Sequence, residues 1–181
     1  MKKASFPSVL STAIVCYIFW LIISGQLVNL FAGEPSAQVL IAGVVVSIAT
    51  ALFAAKFFIH ESPFYLFNPA KFFTMVFYCL VIFMGELWKA NWDVAKRALS
   101  PKLPINPGIV KVPVNLKSEY GQSMLANSIT LTPGTITMDV TEEDGQTYYY
   151  IHWIDVTAES GEAAGEAIKG TLEKGVGRVF E

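Results

Sequence analysis

Few residues in this 181-residue chain combine a reactive side chain with a setting that could use it. Glu86 closes an uncharged apolar run and is followed by Trp88 and Lys89. An acid at a membrane segment is costly and often marks a proton or cation path. Beside Trp88 and Lys89, however, water can solvate it. Glu86 therefore reads as a boundary residue with a structural or subunit-contact role, and an ion-pathway role is the sharper alternative. The second group is Asn127-Ser128-Ile129-Thr130-Leu131-Thr132-Pro133-Gly134-Thr135. The hydroxyls of Ser128, Thr130, Thr132 and Thr135 lie near a glycine turn, a setting able to cradle an anion, but no basic residue is nearby. Pro133 removes a backbone donor and pushes Thr132 out of the helical region. Gly134 supplies the positive φ that a type II turn needs. The group reads as a helix stop, a tight turn and a strand start.

His152 is by residue type a candidate pH sensor, yet a single histidine in a strand reads as a polar rim residue. His60 has no second ligand at metal-binding spacing on its helix turn, and Cys16 and Cys79 lie inside apolar runs as small apolar side chains. The chain holds no GxxxxGK[ST], HExxH, CxxC or GxSxG pattern. No catalytic set, metal site or cofactor is implied, and the chain reads as a non-enzyme.

The elements that position these residues begin in a membrane. Only 15% of residues are charged and 53% are hydrophobic, against about 25% charged in a soluble domain. A net charge of −2 gives no basic field for nucleic acid. An apolar run over about 9–31 is long enough to span and too long for a signal peptide. Gly33-Glu34-Pro35-Ser36 is a turn by composition. A second run over about 39–59 carries Ala42, Gly43, Ser47 and Ala49, small residues that let helices approach, and His60-Glu61-Ser62-Pro63 ends it. A third segment over about 70–92 contains a shorter uncharged stretch, 72–85. Lys2, Lys3, Lys56, Lys71, Lys89, Lys96, Arg97 and Lys102 flank every end except the turn at Glu34. With two spans, all of these fall on one side, which the positive-inside rule makes cytoplasmic. The reading adopted is two spans and a membrane-bound third helix, with three spans as its rival. Trp88 and Trp92 share a helix face at the membrane boundary, and Lys89–Asp93 and Asp93–Arg97 are spaced to pair.

Pro101, Pro104 and Pro107-Gly108 mark a linker over 101–108 between a membrane region, 1–100, and a small α+β domain, 109–181. Val110, Val112 and Val114 alternate as a strand, with Pro113 placing it near an edge. A helix over about 118–130 precedes the turn. Ile136, Met138 and Val140 alternate as a second strand, and Asp144-Gly145 marks a hairpin to a third over about 148–156. Ile168, Leu172, Val176 and Val179 line a final amphipathic helix. The order β-α-β-β-α is a split βαβ, ferredoxin-like unit short of one strand. A strand over 128–132 is the local alternative to the helix end. Tyr149, Ile151 and Trp153 share one strand face, and Tyr148, Tyr150, His152 and Ile154 share the other. One face packs on helices, and the other leaves an aromatic patch suited to interaction.

The 127–135 group, with Ile136-Thr137-Met138-Asp139-Val140 and His152-Trp153-Ile154-Asp155-Val156, resembles the E subunit of the multisubunit Mrp-type (Mnh, Pha) monovalent cation/proton antiporter. Glu86-Leu87-Trp88-Lys89-Ala90-Asn91, Asp93-Val94-Ala95, Pro101-Lys102-Leu103-Pro104-Ile105 and Pro107-Gly108-Ile109-Val110 continue the resemblance in order. It implies a multi-pass subunit of the bacterial cell membrane, held by other membrane subunits and the bilayer, within a complex exchanging Na⁺ for H⁺. Transported ions would be handled by those partners. Trp88, Trp92, Tyr148, Tyr150 and His152 would then be contact residues, and Asn127, Ser128, Thr130, Thr132, Pro133, Gly134 and Thr135 an assembly motif. The basic-residue bias expects the C-terminal domain in the cytoplasm. The alternative from another class is a membrane-tethered binding or regulatory module using the α+β domain.

Overall fold

Residues 5–58 and 67–181 are described in the computed structural model. Lys2, Lys3 and the helix end expected at His60–Pro63 lie outside these residues. The chain divides into two compact units, Met1–Pro69 and Ala70–Glu181.

The first unit is a helical hairpin. α1 (Phe6–Ile23) starts where the Ser5 hydroxyl accepts the Ser8 N–H. It packs against α3 (Ala37–Phe58). Their buried residues are small: Ser8 and Ser11 on α1, and Ser47, Ala51 and Ala55 on α3. Small side chains let two apolar helices approach where lipid offers no hydrophobic drive between them. Trp20 lies over Gly43, where a Cβ would come within 2.4 Å of the ring, and its indole N–H donates to the Val39 carbonyl at 3.1 Å. The apolar run expected as one segment over 9–31 is broken. Ser24 donates its hydroxyl to the Trp20 carbonyl, and Gly25 takes φ +70°. A separate short helix, α2 (Gln26–Ala32), follows. The buried Gln26 accepts the Ser36 N–H at 2.9 Å, tying α2 to the turn at Gly33.

The second unit opens with one continuous helix over Pro69–Leu99. It comprises α4 (Pro69–Phe77), a π-helical segment (Tyr78–Phe83) and α5 (Met84–Leu99). At 31 residues it is longer than the uncharged stretch 72–85 suggests, because its charges lie in the flanking turns. By length and composition α1, α3 and this third helix are each able to cross a membrane.

Three antiparallel strands follow: β1 (Gly108–Val114), β2 (Thr135–Glu143) and β3 (Gln146–Trp153), in the order β1-β3-β2. α6 (Glu119–Leu131) and α7 (Glu162–Phe180) complete the expected β-α-β-β-α order. The segment 128–132 closes a helix and forms no strand. The hairpin turns at Asp144 and Gly145, both at positive φ, the pairing that a two-residue type I′ turn requires. Val110, Val112, Val114, Tyr149 and Ile151 are buried with Leu125, Ile129, Leu172 and Val176 of the helices. The strand alternation fails at one point. Met138 is bulged out of register, so Ile136 lies opposite His152 while Val140 lies opposite Tyr149. An inserted residue moves everything beyond it to the other face.

Both sheet edges are blunted. The Lys111 N–H donates to the Ser160 hydroxyl, its carbonyl accepts the Gly161 N–H, and Pro113 has no donor. The loop before α7 thus satisfies the edge where a fourth ferredoxin-like strand would pair. On β2, Thr137 N–H donates to the Thr130 hydroxyl and Val140 N–H to the Asp139 carboxylate.

The third helix is docked to this domain along its length. Tyr78 is 1% exposed, its hydroxyl lies 2.7 Å from the Ser128 hydroxyl of α6, and its ring lies against Gly175 of α7. The Lys71 amine donates to the Val179 carbonyl at 2.9 Å, and Arg97 pairs with Asp155 at 2.8 Å. Those two contacts stand about 39 Å apart along a helix rising 1.5 Å per residue. Tyr78, Ile82 and Glu86 all face the domain, although residues eight apart on an α-helix drift by about 80°. The wider π-turns over Tyr78–Phe83 take up that drift.

A Cβ on Gly175 would come within 2.7 Å of the Tyr78 ring. Gly175→Val is expected to cost about 1–3 kcal/mol by overpacking. The loss is read as a lower unfolding midpoint of the full chain in detergent. An unchanged midpoint would show that the ring has room to move.

Candidate functional site: the cleft beside the Thr-Pro-Gly turn

α6 begins at Ser118, whose hydroxyl accepts the Gly121 N–H, and closes at Thr132. The closure is chemical as well as steric. Thr132 and Thr135 both donate their hydroxyls to the Ile129 carbonyl at 2.8 Å. Carbonyls at a helix C-terminus have no partner within the helix, so this hydroxyl pair replaces the missing donors. Thr130 donates to the Ala126 carbonyl and accepts the Thr137 N–H; Ser128 donates to the Met124 carbonyl. Gly134 takes φ +98°, as the turn requires, and its carbonyl accepts the Ile154 N–H at 2.8 Å. The hydroxyls are thus committed to backbone groups. Asn127 is exposed on α6 and takes no part.

Across from this turn runs α5. Together they line a cleft of about 230 Å³, with Glu86, Lys89 and Asp93 on one wall and Thr132 to Thr135 on the other. Trp153 and Ile154 close the sheet side, and Ile168 and Leu172 the α7 side. Sequence spacing pairs Lys89 with Asp93, but the structure pairs Lys89 with Glu86 at 2.8 Å. Asp93 is taken by Arg97 at 2.7 Å, as expected. Arg97 also donates to the Pro104 carbonyl and to Asp155, so one guanidinium ties helix, connector and sheet. The connector is held further by Asn106, which exchanges backbone hydrogen bonds with Ile154 and Val156. Tyr78, Gly175 and the Arg97–Asp155 pair are the residues missed by local spacing, because each finds its partner far along the chain.

Chemically, the cleft offers paired charges and saturated hydroxyls. Among the described residues, no three His, Cys, Asp or Glu are placed to hold a metal ion. The buried Tyr149 hydroxyl donates to the Gln122 carbonyl at 2.7 Å, and burial pushes its pKa well up.

The other predicted contact residues lie elsewhere. Tyr148, Tyr150 and His152 sit half-buried on the sheet face opposite to Tyr149 and Ile151, with exposed Ile109 and Ile136 flanking His152. Lys111 lies 4.3 Å over the Tyr148 ring, and its hydrogen bond to Glu143 holds its pKa up. Trp88 and Trp92 are exposed on the third helix, with the Lys96 amine 5.5 Å over Trp92.

Residues 13–179 match the Na⁺/H⁺ ion antiporter subunit family. The chain is 37% identical over 148 residues to the E-type Na⁺/H⁺ antiporter subunit of Bacillus subtilis (strain 168), covering 82% of this chain and 87% of that protein. To the E1-type Na⁺/H⁺ antiporter subunit of Staphylococcus aureus (strain bovine RF122 / ET3-1) it is 38% identical over 117 residues, covering 62% and 71%. It also superposes on a chain of the membrane-bound sulfane sulfur reductase, an archaeal respiratory membrane complex. That match has a TM-score of 0.76 and 39% identity, over 97% of this chain and 100% of that one. The chain belongs to the family of Na⁺/H⁺ antiporter subunits, a transporter family and not an enzyme family. The resemblance read from residues 86–156 therefore holds.

A Cβ on Gly134 would lie 3.1 Å from Ile154 and 3.5 Å from Val94, at a φ that side chains rarely adopt. Gly134→Val is expected to cost on the order of 1–3 kcal/mol of strain, and Pro133→Gly about 0.4–1 kcal/mol through the unfolded chain. Denaturation of the two variants should rank them in that order; the reverse order would contradict the geometry.

Proposed function

We propose that this chain is an accessory subunit of a multisubunit Na⁺/H⁺ antiporter, serving its assembly or stability while larger partners carry the ions. The supporting observation is the saturation of the cleft. Glu86 and Asp93 are paired, and the turn hydroxyls are bonded to backbone carbonyls. Residues 6–23 and 37–55 contain no Asp, Glu, Lys, Arg or His. A proton or cation relay across the membrane needs such groups held in its interior. The similarity to a chain of a sulfane sulfur reductase complex supports the same reading, because a common subunit in assemblies of different chemistry suits a scaffold.

Under this reading the Thr-Pro-Gly turn acts by holding the domain in its docked form. Tyr148, Tyr150 and His152 offer a partner protein an open sheet face. The α+β domain then lies on the cytoplasmic side; with two spans, the basic residues that flank the membrane segments support that side. A cytoplasm-active reporter fused after Glu181 should be active, and one at Gly33-Glu34 silent; the reverse pattern would refute that side. A regulatory module that stands alone would purify in mild detergent as a lone oligomer, without large polytopic partners.

The test of the role is Glu86→Gln in everted vesicles. Antiport per assembled complex, counted on a native gel, should stay near the parent level. A collapse of specific activity with normal assembly would place Glu86 on the ion path.

A further inference from the structure

We infer that the helix Pro69–Leu99 does not cross the bilayer but lies in its interface, parallel to the membrane plane, with one apolar stripe turned to lipid. The inference is independent of which protein of the complex carries the ions. Phe73, Phe77, Leu80, Met84, Trp88 and Trp92 recur every three or four residues and form one stripe. Each is at least 46% exposed, and Trp88 reaches 77%. The stripe runs for about 28 Å of helix. The opposite side is covered: Lys71, Tyr78, Ile82, Val94 and Arg97 all meet the α+β domain or its connector.

That coverage decides the orientation. If the helix crossed the bilayer, the domain docked along it would sit at the same depth. α7, which meets the helix from Tyr78 to Lys71, carries Glu166, Lys169, Glu173, Lys174 and Arg178. Lysine or arginine at the centre of a membrane helix costs about 2.5–3.5 kcal/mol each. The Glu166–Lys174 pair is about two-thirds exposed and would lose its water. Laid flat, the helix keeps these groups in water and still buries the stripe.

The flanks of the stripe suit a lipid surface. Trp88 and Trp92 are residues favoured at headgroup depth. Lys96, stacked on Trp92, puts an amine beside the stripe, within reach of lipid phosphates. Trp88 and Trp92 are thereby assigned to lipid and not to a neighbouring protein.

The test uses the full chain in its assembled complex, in liposomes, with Cys16→Ser and Cys79→Ala as background. Single variants Phe73→Cys, Phe77→Cys, Leu80→Cys, Met84→Cys and Trp88→Cys carry a spin label, and power saturation reads label depth. All five labels are expected at one shallow depth, about 5–10 Å into the headgroup–acyl boundary. A depth that changes steadily by about 22 Å from 73 to 88 would be a span and would overturn the inference. So would labels shielded from both oxygen and a polar relaxer, the mark of a protein neighbour. A second measurement leaves the stripe intact. With Trp20→Phe and Trp153→Phe, the remaining Trp88 and Trp92 should be quenched more strongly by lipids brominated near the headgroup than near the chain end. Absent quenching, or stronger deep quenching, would equally overturn it.

Discussion

The structure of the second unit turns on the burial of Tyr78 in the groove between α6 and α7. A large ring on an apolar helix is fully buried only where a shaped site receives it. Here Gly175 removes the side chain that would block the ring, and Ser128 receives the hydroxyl. The π-helical turns then keep Ile82 and Glu86 on the same side as Tyr78. From that anchor the rest follows. α5 is brought beside the Thr-Pro-Gly turn, Arg97 reaches Asp155, and the connector is fixed by Arg97 and Asn106. The third helix and the α+β domain are thus packed as one unit.

The turn at residues 132–135 shows how a polar motif can be structural. Hydroxyl-rich stretches near a glycine invite an anion-binding reading, but here two threonines share the Ile129 carbonyl at the end of α6. Leaving such buried acceptors unmet costs about 1–3 kcal/mol each. The acids facing the turn are likewise neutralised within α5. The groups lining this cleft therefore bond one another across the turn and along α5.

Local rules read much of this from sequence. Pro133 and Gly134 fixed the end of α6, Asp144-Gly145 the hairpin, and valine alternation β1, because each is decided by a few neighbouring residues. The failures have two causes: the deciding partner is distant or the period is broken. The Met138 bulge cannot be seen in an alternation that it interrupts. Gly25 looks like one more small residue in an apolar run until its φ is known. Lys89 has acids on both sides, and in the structure Arg97 holds Asp93 while Lys89 pairs with Glu86. The Tyr78–Ser128–Gly175 contact joins positions 50 and 97 residues apart, and nothing in the spacing of any one segment announces it.

Amide hydrogen exchange on the full chain with Tyr78→Ala tests the central dependence most directly. Emptying a buried aromatic site costs about 3–5 kcal/mol, and each 1.4 kcal/mol is tenfold in the opening equilibrium. Protection of the amides around Leu125–Ile129 and Leu172–Val176 should therefore fall by about two to three orders of magnitude. Unchanged protection in both helices would mean that the domain stands without the Tyr78 anchor, and the account would be wrong.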